Sequence, residues 1–181
     1  MSEFSVTPST DRFTGFQITV SGDHAYIHRG KGFSAMGGAS LAANANYGLT
    51  ITTPAANVKY VHFRPALLSS SASYVKATLY EAPTFTAGTA GTPINRNRNS
   101  TTVAASTYAF GATYTSGGTI IDIAAFGGGV EGKGGGQSSG AEQELVLKPS
   151  TTYLLWIQNP STGATTQLVW NLFWYEEDAG V

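Results

Sequence analysis

The sequence contains no cysteine and few charged residues. Cysteine is absent from all 181 positions, which excludes disulfide bonds, thiolate metal sites and cysteine nucleophiles together. Charged residues make up 12% of the chain, about half of the roughly 25% found in a typical soluble domain. Ten Lys/Arg against eleven Asp/Glu give a formal net charge of −1. We therefore expect neither nucleic acid nor an anionic membrane as a partner, because both are recognised through a basic surface.

Long apolar runs are missing as well. No stretch approaches the roughly 18–20 apolar residues that span a bilayer. Met1–Phe4 lacks the basic region and following apolar run of a secretion signal. The sequence therefore predicts a soluble protein that is made in a cytoplasm, wherever it is used afterwards.

What the chain does have is glycine and short runs of alternating side chains. β-Branched and aromatic residues recur with a period of two, and clusters of Gly, Pro, Asn and Ser separate the runs. This pattern is typical of antiparallel strands. The clearest runs are Phe16–Ser21, Tyr47–Thr53, Val58–Arg64, Tyr74–Glu81, Thr107–Tyr114, Thr119–Ile123, Glu142–Leu147, Tyr153–Gln158 and Thr166–Tyr175. The fold class predicted is all-β, an antiparallel β-sandwich, with a jelly roll as one version.

The length suits one domain with a short arm. Residues 1–14 are interpreted as an extended N-terminal arm and residues 15–181 as a single sandwich domain. Phe126–Gly140 contains two glycine triplets and is expected to form a loop. Ala35–Asn46 is rich in alanine but has two glycines and no stripe of large apolar residues, so at most one turn of helix is expected there.

The last run is apolar on both of its faces. Leu168, Trp170, Leu172 and Trp174 share one face, and Val169, Phe173 and Tyr175 share the other. Such a strand needs cover on both sides, which a central position in a sandwich or a neighbouring subunit provides.

The residue types that carry catalysis or bind metals do not converge in the sequence. His24 and His28 stand four apart, but the segment between them is strand-like, and strand positions four apart lie roughly 13 Å from each other at about 3.3 Å per residue. That distance is too long for one ion, so no metal site is predicted. Glu81, Asp122 and Glu144 show no recognisable pairing for acid catalysis. We therefore expect no enzyme, no catalytic residues and no cofactor.

The segment Asn95–Asn99 alternates asparagine and arginine. In an extended chain Arg96 and Arg98 point to one side, and the asparagines Asn95, Asn97 and Asn99 point to the other. One interpretation is a polar edge strand that its charges protect against stray pairing. The other is a contact surface, because arginine binds carboxylates bidentately and asparagine bonds to backbone. The residues alone leave both interpretations open.

Several segments follow one another in an order that resembles a known group of proteins. They are Asp23–Phe33 with a His-x-Gly-x-x-Phe motif at His28, Gly30 and Phe33, the strands Val58–Arg64 and Tyr74–Glu81, the run Asn95–Ser100, a glycine-rich loop, Leu147–Leu154 and the closing Trp174–Glu176. Over most of its length the chain resembles tailed-bacteriophage structural proteins. The resemblance implies a virion protein of the capsid decoration or cement class, bound to the major capsid protein on the exterior of the head.

A protein of that class contacts both the capsid and copies of itself. We expect a homotrimer. The expected contacts with the capsid or a neighbouring subunit are Asn95–Asn99, Phe4 and Val6 in the arm, and Trp170 and Trp174 in the last run.

A carbohydrate-binding adhesin module of a phage fibre is the alternative function. Such a module would use exposed aromatic rings as stacking surfaces. The candidates are Trp156, Trp170, Trp174, Tyr108 and Tyr114.

Overall fold

The computed structural model describes residues 9–10, 17–18, 22–56, 59–69, 74–127, 135–138 and 144–178. Nearly all secondary structure in these ranges is β, which confirms the predicted all-β class. The elements in chain order are β1 (Ser9–Thr10), β2 (Gln17–Ile18), α1 (Gly22–His28), β3 (Gly32–Leu41), β4 (Asn46–Thr52), β5 (Lys59–Ser69), β6 (Tyr74–Glu81), β7 (Thr84–Thr86), β8 (Thr89–Gly91), β9 (Ile94–Asn95), β10 (Thr107–Ser116), β11 (Thr119–Gly127), β12 (Gly135–Ser138), β13 (Leu145–Leu147), β14 (Thr152–Gln158) and β15 (Thr166–Asp178).

The strands form two large antiparallel sheets. Sheet I has the order β11-β6-β14-β4-β10-β7, with β8 also paired to β10. Sheet II has the order β12-β5-β15-β3-β9, with β13 also paired to β5. Apolar side chains from both sheets meet in one core, so the predicted antiparallel β-sandwich is confirmed. The jelly-roll version of it stays a prediction.

The core follows the alternation of the strands. Val75, Ala77 and Leu79 of β6 are buried, as their period of two predicts. On β15 the inward face consists of Leu168, Trp170, Leu172 and Trp174, all buried. Each large apolar side chain buried in this way contributes about 1.5–3 kcal/mol. The two sheets are also joined by a hydrogen bond, since Trp170 Nε1 donates to Tyr108 Oη over 3.1 Å.

Strand β3 occupies most of Ala35–Asn46, where the sequence allowed at most one turn of helix. Gly32–Leu41 is a strand that pairs with β15 along its whole length. Its small residues make room for the core. A Cβ on Gly37 would lie 2.3 Å from Cζ2 of Trp170, so the glycine is needed for close packing against the indole.

Helix α1 corrects the expectation of a strand between His24 and His28. The helix ends in a Schellman motif, in which Gly30 N donates to Ile27 O and Lys31 N donates to Tyr26 O. Gly30 adopts a φ of +70°, a conformation that favours glycine. The glycine of the His-x-Gly-x-x-Phe motif therefore ends a helix, and Phe33 of the same motif enters the core directly after it.

The predicted arm and glycine-rich loop lie only partly in the described ranges. Ser9–Thr10, inside the predicted arm, pairs antiparallel with Gln17–Ile18. Gly135–Ser138, inside the predicted loop, is a strand paired with β5. The remainder of the arm and residues 128–134 and 139–140 lie outside the described residues.

A buried carboxylate ties the segment before β10 to β15. Glu176 is 2% exposed, and its two oxygens accept hydrogen bonds from Ala105 N at 2.8 Å, Ser106 N at 2.9 Å and Trp174 Nε1 at 3.2 Å. Three donors satisfy the charge where water does not reach it.

Replacement of Glu176 by glutamine should destabilise the fold. The glutamine side chain keeps one acceptor oxygen, but its NH2 group is a donor and would face an N–H group that donates to the carboxylate in the wild type. We therefore expect a loss of about 1.5–3 kcal/mol in the free energy of unfolding, measured by urea denaturation. Asp178→Asn is the control, because Asp178 is exposed and its ion pairs with Lys31 and Lys59 lie at the surface. Equal effects of the two substitutions would contradict this role for Glu176.

Candidate functional site

The outer face of sheet II carries the candidate site. Register places outward-pointing side chains in rows across β3, β15 and β5. One row contains Ser34, Phe173 and Arg64, and the next contains Met36, Asn171 and Ala66. The following row contains Gly38 and Val169. We call the outward side chains of Arg64, Arg96, Val169, Asn171 and Phe173 the contact face.

Helix α1 covers one end of this outer face. The ring of Tyr26 stacks on that of Tyr175 at a centroid distance of 4.3 Å, and Tyr175 stacks on His62 at 4.4 Å. Glu177 accepts from Tyr26 Oη at 2.8 Å, and Glu144 accepts from Tyr175 Oη at 2.6 Å. Burial, followed by the hydrogen bond to Glu177, raises the pKa of Tyr26 to about 12. The phenol therefore stays protonated and holds the helix on the sheet.

Beyond the helix, the described residues leave part of the outer face exposed. Val169 is 49% exposed, and Phe173 is half-buried beside an open cavity of about 260 Å³. The cavity is lined by Ile27, Arg64, Ala66, Arg96, Asn171 and Phe173. The sequence predicted cover for both faces of the last strand. The described residues cover the inner face and only the Tyr175 end of the outer face.

Two guanidinium groups lie over the ring of Phe173. The Cζ atom of Arg96 is 5.1 Å from the ring centroid, and that of Arg64 is 6.0 Å away. These are distances at which a cation is attracted to an aromatic face. Phe173 and the two arginines thus form one cluster beside the cavity.

The loop that supplies Arg96 differs from the sequence prediction. Only Ile94–Asn95 is a strand, and residues 96–99 bend away from it. Asn95 is 9% exposed, and its Nδ2 donates to Gly30 O and Thr102 O, each over 2.9 Å. Residues 96–99 are therefore not the extended segment that both interpretations assumed, and the Asn95 amide satisfies backbone groups within the chain.

The same amides hold the loop that carries Arg96. Asn95 Oδ1 accepts from Asn97 N, and Asn97 Nδ2 donates to His28 O at 3.0 Å, which fixes the loop to the end of α1. Arg96 N donates to Gly32 O at 2.9 Å, so the backbone of Arg96 is held beside the cavity while its side chain is exposed. Arg98 and Asn99 are exposed but do not line the cavity.

The other predicted contact residues lie elsewhere. Trp170 is 3% exposed and Trp174 is 0% exposed, so both indoles belong to the core and neither reaches the surface of the chain. On the opposite face of β15, Val169 and Asn171 are exposed and Phe173 is half-buried. Phe4 and Val6 lie outside the described residues.

The aromatic rings considered for stacking on sugars are largely occupied within the chain. Trp156 and Tyr108 are buried, as are Trp170 and Trp174. Tyr114 is half-buried on sheet I, where its ring stacks on Tyr80 at 4.5 Å. These contacts leave little ring surface for a sugar.

The structure brings His24 and His28 together, contrary to the spacing expected of a strand. Helix α1 places their Nε2 atoms 2.7 Å apart on an exposed surface. A structural zinc site usually has four ligands. Within the described residues no group of three or more His, Cys, Asp or Glu side chains lies close enough to hold a metal ion.

Two of the acidic residues considered for catalysis, Glu81 and Glu144, have separate structural contacts. Glu81 accepts from Lys148 Nζ at 2.7 Å and from Tyr153 Oη at 3.0 Å. The hydrogen bond from Lys148 holds the pKa of Glu81 below its usual value. Burial raises the pKa of Tyr153 to about 12. Glu144 bonds to His62 Nδ1 at 2.8 Å as well as to Tyr175. Both carboxylates thus connect strands.

Sequence reasoning missed Arg64 and Phe173 as members of the site. The sequence did contain a signal for both residues. Arg64 lies on one face of the predicted strand Val58–Arg64, and Phe173 lies on the second face of the last run. Their proximity depends on the register between β5 and β15, which the pattern of a single strand does not contain.

The fold and site together define an antiparallel β-sandwich with one partly uncovered, apolar and basic sheet face. Comparison with protein-family models, curated proteins and solved structures finds no match to the chain. In the ranges that the structure describes, no helix has the length and apolar character needed to cross a bilayer.

Replacement of Asn95 by aspartate should loosen the loop that carries Arg96. A carboxylate would face the carbonyl oxygens of Gly30 and Thr102, and we expect a loss of about 1–3 kcal/mol in the free energy of unfolding, measured by urea denaturation. Asn99→Asp is the matched control, because Asn99 is exposed in the same loop. A loss for Asn95→Asp no larger than that of the control would show that the buried amide does not hold the loop.

Proposed function

We propose that the chain is a structural virion protein that binds the outer surface of a tailed-bacteriophage capsid and stabilises it through contacts between subunits. Its partners in this proposal are the major capsid protein and further copies of itself. The role is binding without catalysis. The resemblance of segments such as Asp23–Phe33 and Asn95–Ser100 to tailed-phage structural proteins supplies the biological context.

The observation that carries the proposal is the outer face of β15, which the described residues leave partly uncovered. Val169 and Phe173 are large apolar side chains in the middle of a sheet, and the described residues leave them accessible to another molecule. Apolar surface of this kind, bordered by polar and charged groups, is typical of protein contact sites. Arginine and phenylalanine are among the residues enriched in such sites.

Modest contacts are sufficient for a capsid-stabilising protein. Each buried apolar Å² contributes about 25 cal/mol before the costs of association are subtracted. If several linked copies bind the same shell, the second and later contacts form at high effective concentration. A homotrimer that bridges neighbouring capsid subunits therefore gains stability without one very tight interface.

Wild-type protein should co-sediment with intact phage heads and label the exterior of the head in electron micrographs. Val169→Glu should weaken this binding by about tenfold or more, because an unpaired charge would be buried at the interface. Ile120→Glu is the matched control, since Ile120 lies on sheet I and is 51% exposed, against 49% for Val169.

Equal losses for the two glutamate variants would contradict the assignment of the contact face. Label at the tail tip with bare heads would contradict the capsid role. Near-ultraviolet circular dichroism of each variant shows whether the sandwich has stayed folded.

The purified protein should be a homotrimer in solution. Multi-angle light scattering should give three times the chain mass of 18.9 kDa at micromolar concentration, because apolar side chains left exposed on one chain are buried by its neighbours. A clean monomer at that concentration would contradict the trimer.

A further inference from the structure

We infer that His24 and His28 on helix α1 together chelate one divalent transition-metal ion that binds its ligands at right angles, such as copper(II) or nickel(II). The two imidazoles bind the ion through their Nε2 atoms, and water completes its coordination. The proposed capsid role assigns nothing to either side chain, so this site goes beyond it.

Helix α1 directs the two imidazoles at one point. Residues four apart lie on the same side of a helix, one turn from each other. The Nε2 atoms of His24 and His28 are 2.7 Å apart, and their ring centroids are 4.4 Å apart. Both side chains are exposed, so an ion can reach the pair from solvent.

The same spacing on a helix holds zinc in the metalloprotease motif His-Glu-x-x-His, where the glutamate acts as general base. In this chain Ala25 stands in the place of that glutamate. Within the described ranges no third ligating side chain joins the pair. The pair is therefore an open, two-ligand site that binds an ion without the base that hydrolysis needs.

The distance between the two nitrogens favours one geometry of the ion. A bond from a metal ion to an imidazole nitrogen is about 2.0–2.1 Å long, so two nitrogens bound at a right angle lie roughly 2.9 Å apart, and at a tetrahedral angle roughly 3.3 Å apart. The observed 2.7 Å between His24 Nε2 and His28 Nε2 is closer to the first value. Copper(II) and nickel(II) adopt tetragonal or square-planar geometry, whereas zinc is usually tetrahedral. The pair therefore fits copper(II) and nickel(II) better than zinc(II).

The backbone that carries the pair is held in place before an ion binds. The ring of Tyr26 stacks on that of Tyr175, and Asn97 Nδ2 donates to His28 O. At the end of the helix, Lys31 N donates to Tyr26 O. Little backbone freedom is left to lose, so the two imidazoles are preorganised for a shared ion.

The third histidine provides a control within the same chain. The sequence contains three histidines and no cysteine, so His62 is the one remaining imidazole. Its Nδ1 atom bonds to Glu144 at 2.8 Å, and its ring stacks on Tyr175. His62 therefore lies in a different set of contacts from the exposed pair.

The test is a titration of the intact protein, without an affinity tag, with the chlorides of copper(II), nickel(II) and zinc(II) in a buffer that does not bind metals. Isothermal calorimetry should give one copper(II) ion per chain, bound at least about tenfold more tightly than zinc(II). Nickel(II) should also bind more tightly than zinc(II), because the right-angled geometry favours it. Electron paramagnetic resonance of the copper(II) complex should show coordination by two imidazole nitrogens.

Three variants locate the ion. His24→Gln and His28→Gln should each weaken copper(II) binding by about tenfold or more, because a chelate loses one of its two linked bonds. His62→Gln should leave the affinity unchanged. Near-ultraviolet circular dichroism shows whether each variant has stayed folded.

Hydrogen exchange gives a second measurement that depends on the helix itself. The amides of Arg29 and Lys31 donate to Ala25 O and Tyr26 O, and they exchange when α1 opens. An ion that bridges one turn binds the formed helix and not the open one, so saturating nickel(II) should slow this exchange by about tenfold or more. The same addition should have no effect on His24→Gln.

Three results would overturn the inference. Unchanged copper(II) binding in both His24→Gln and His28→Gln would show an adventitious ion only. An equal loss for His62→Gln would show that the exposed pair is not the site. Tighter binding of zinc(II) than of nickel(II) would contradict the right-angled geometry. None of these results bears on the capsid role, because neither histidine belongs to the contact face.

Discussion

The pairing of β15 with both of its neighbours is the constraint on which the rest of the structure depends. This strand of 13 residues pairs with β5 on one side and with β3 on the other. Its inward face supplies four large core side chains, among them Trp170 and Trp174. The same alternation turns Val169 and Phe173 outward. The interior and the contact face are therefore two consequences of one register, and a shift by a single residue would exchange them.

Side chains from distant parts of the chain then shape the open face. The stack of Tyr26, Tyr175 and His62 fixes α1 over one end of the sheet. Asn95 and Asn97 tie the arginine loop to the carbonyl groups at the end of that helix. Arg96 reaches the ring of Phe173 from that loop, while Arg64 reaches it along the sheet from β5. The result is a cavity lined by Phe173 and two arginines on the outer face of sheet II.

Local patterns predicted the sandwich and much of its core, since the alternation in Tyr74–Glu81 and Thr166–Tyr175 directly reflects which side chains are buried. They failed where tertiary contacts decide the conformation. In strand β3, Gly37 packs against Trp170, and no local pattern reveals that neighbour. Helix α1 has seven residues and depends on Gly30 and on the stack with Tyr175. Of the residues on the contact face, Arg96 belonged to a segment that the sequence pattern singled out. Phe173 was recognised only as a side chain that needs cover.

The central claim is that another protein chain, supplied by the capsid or by a second copy, covers the outer face of sheet II in the virion. A cryo-electron microscopy reconstruction of intact phage heads tests it most directly. We predict density for the sandwich outside the capsid shell, with Val169, Phe173 and Arg96 against a neighbouring chain. Sandwich density on the head with that face turned to solvent, or its absence from the head, would contradict the claim.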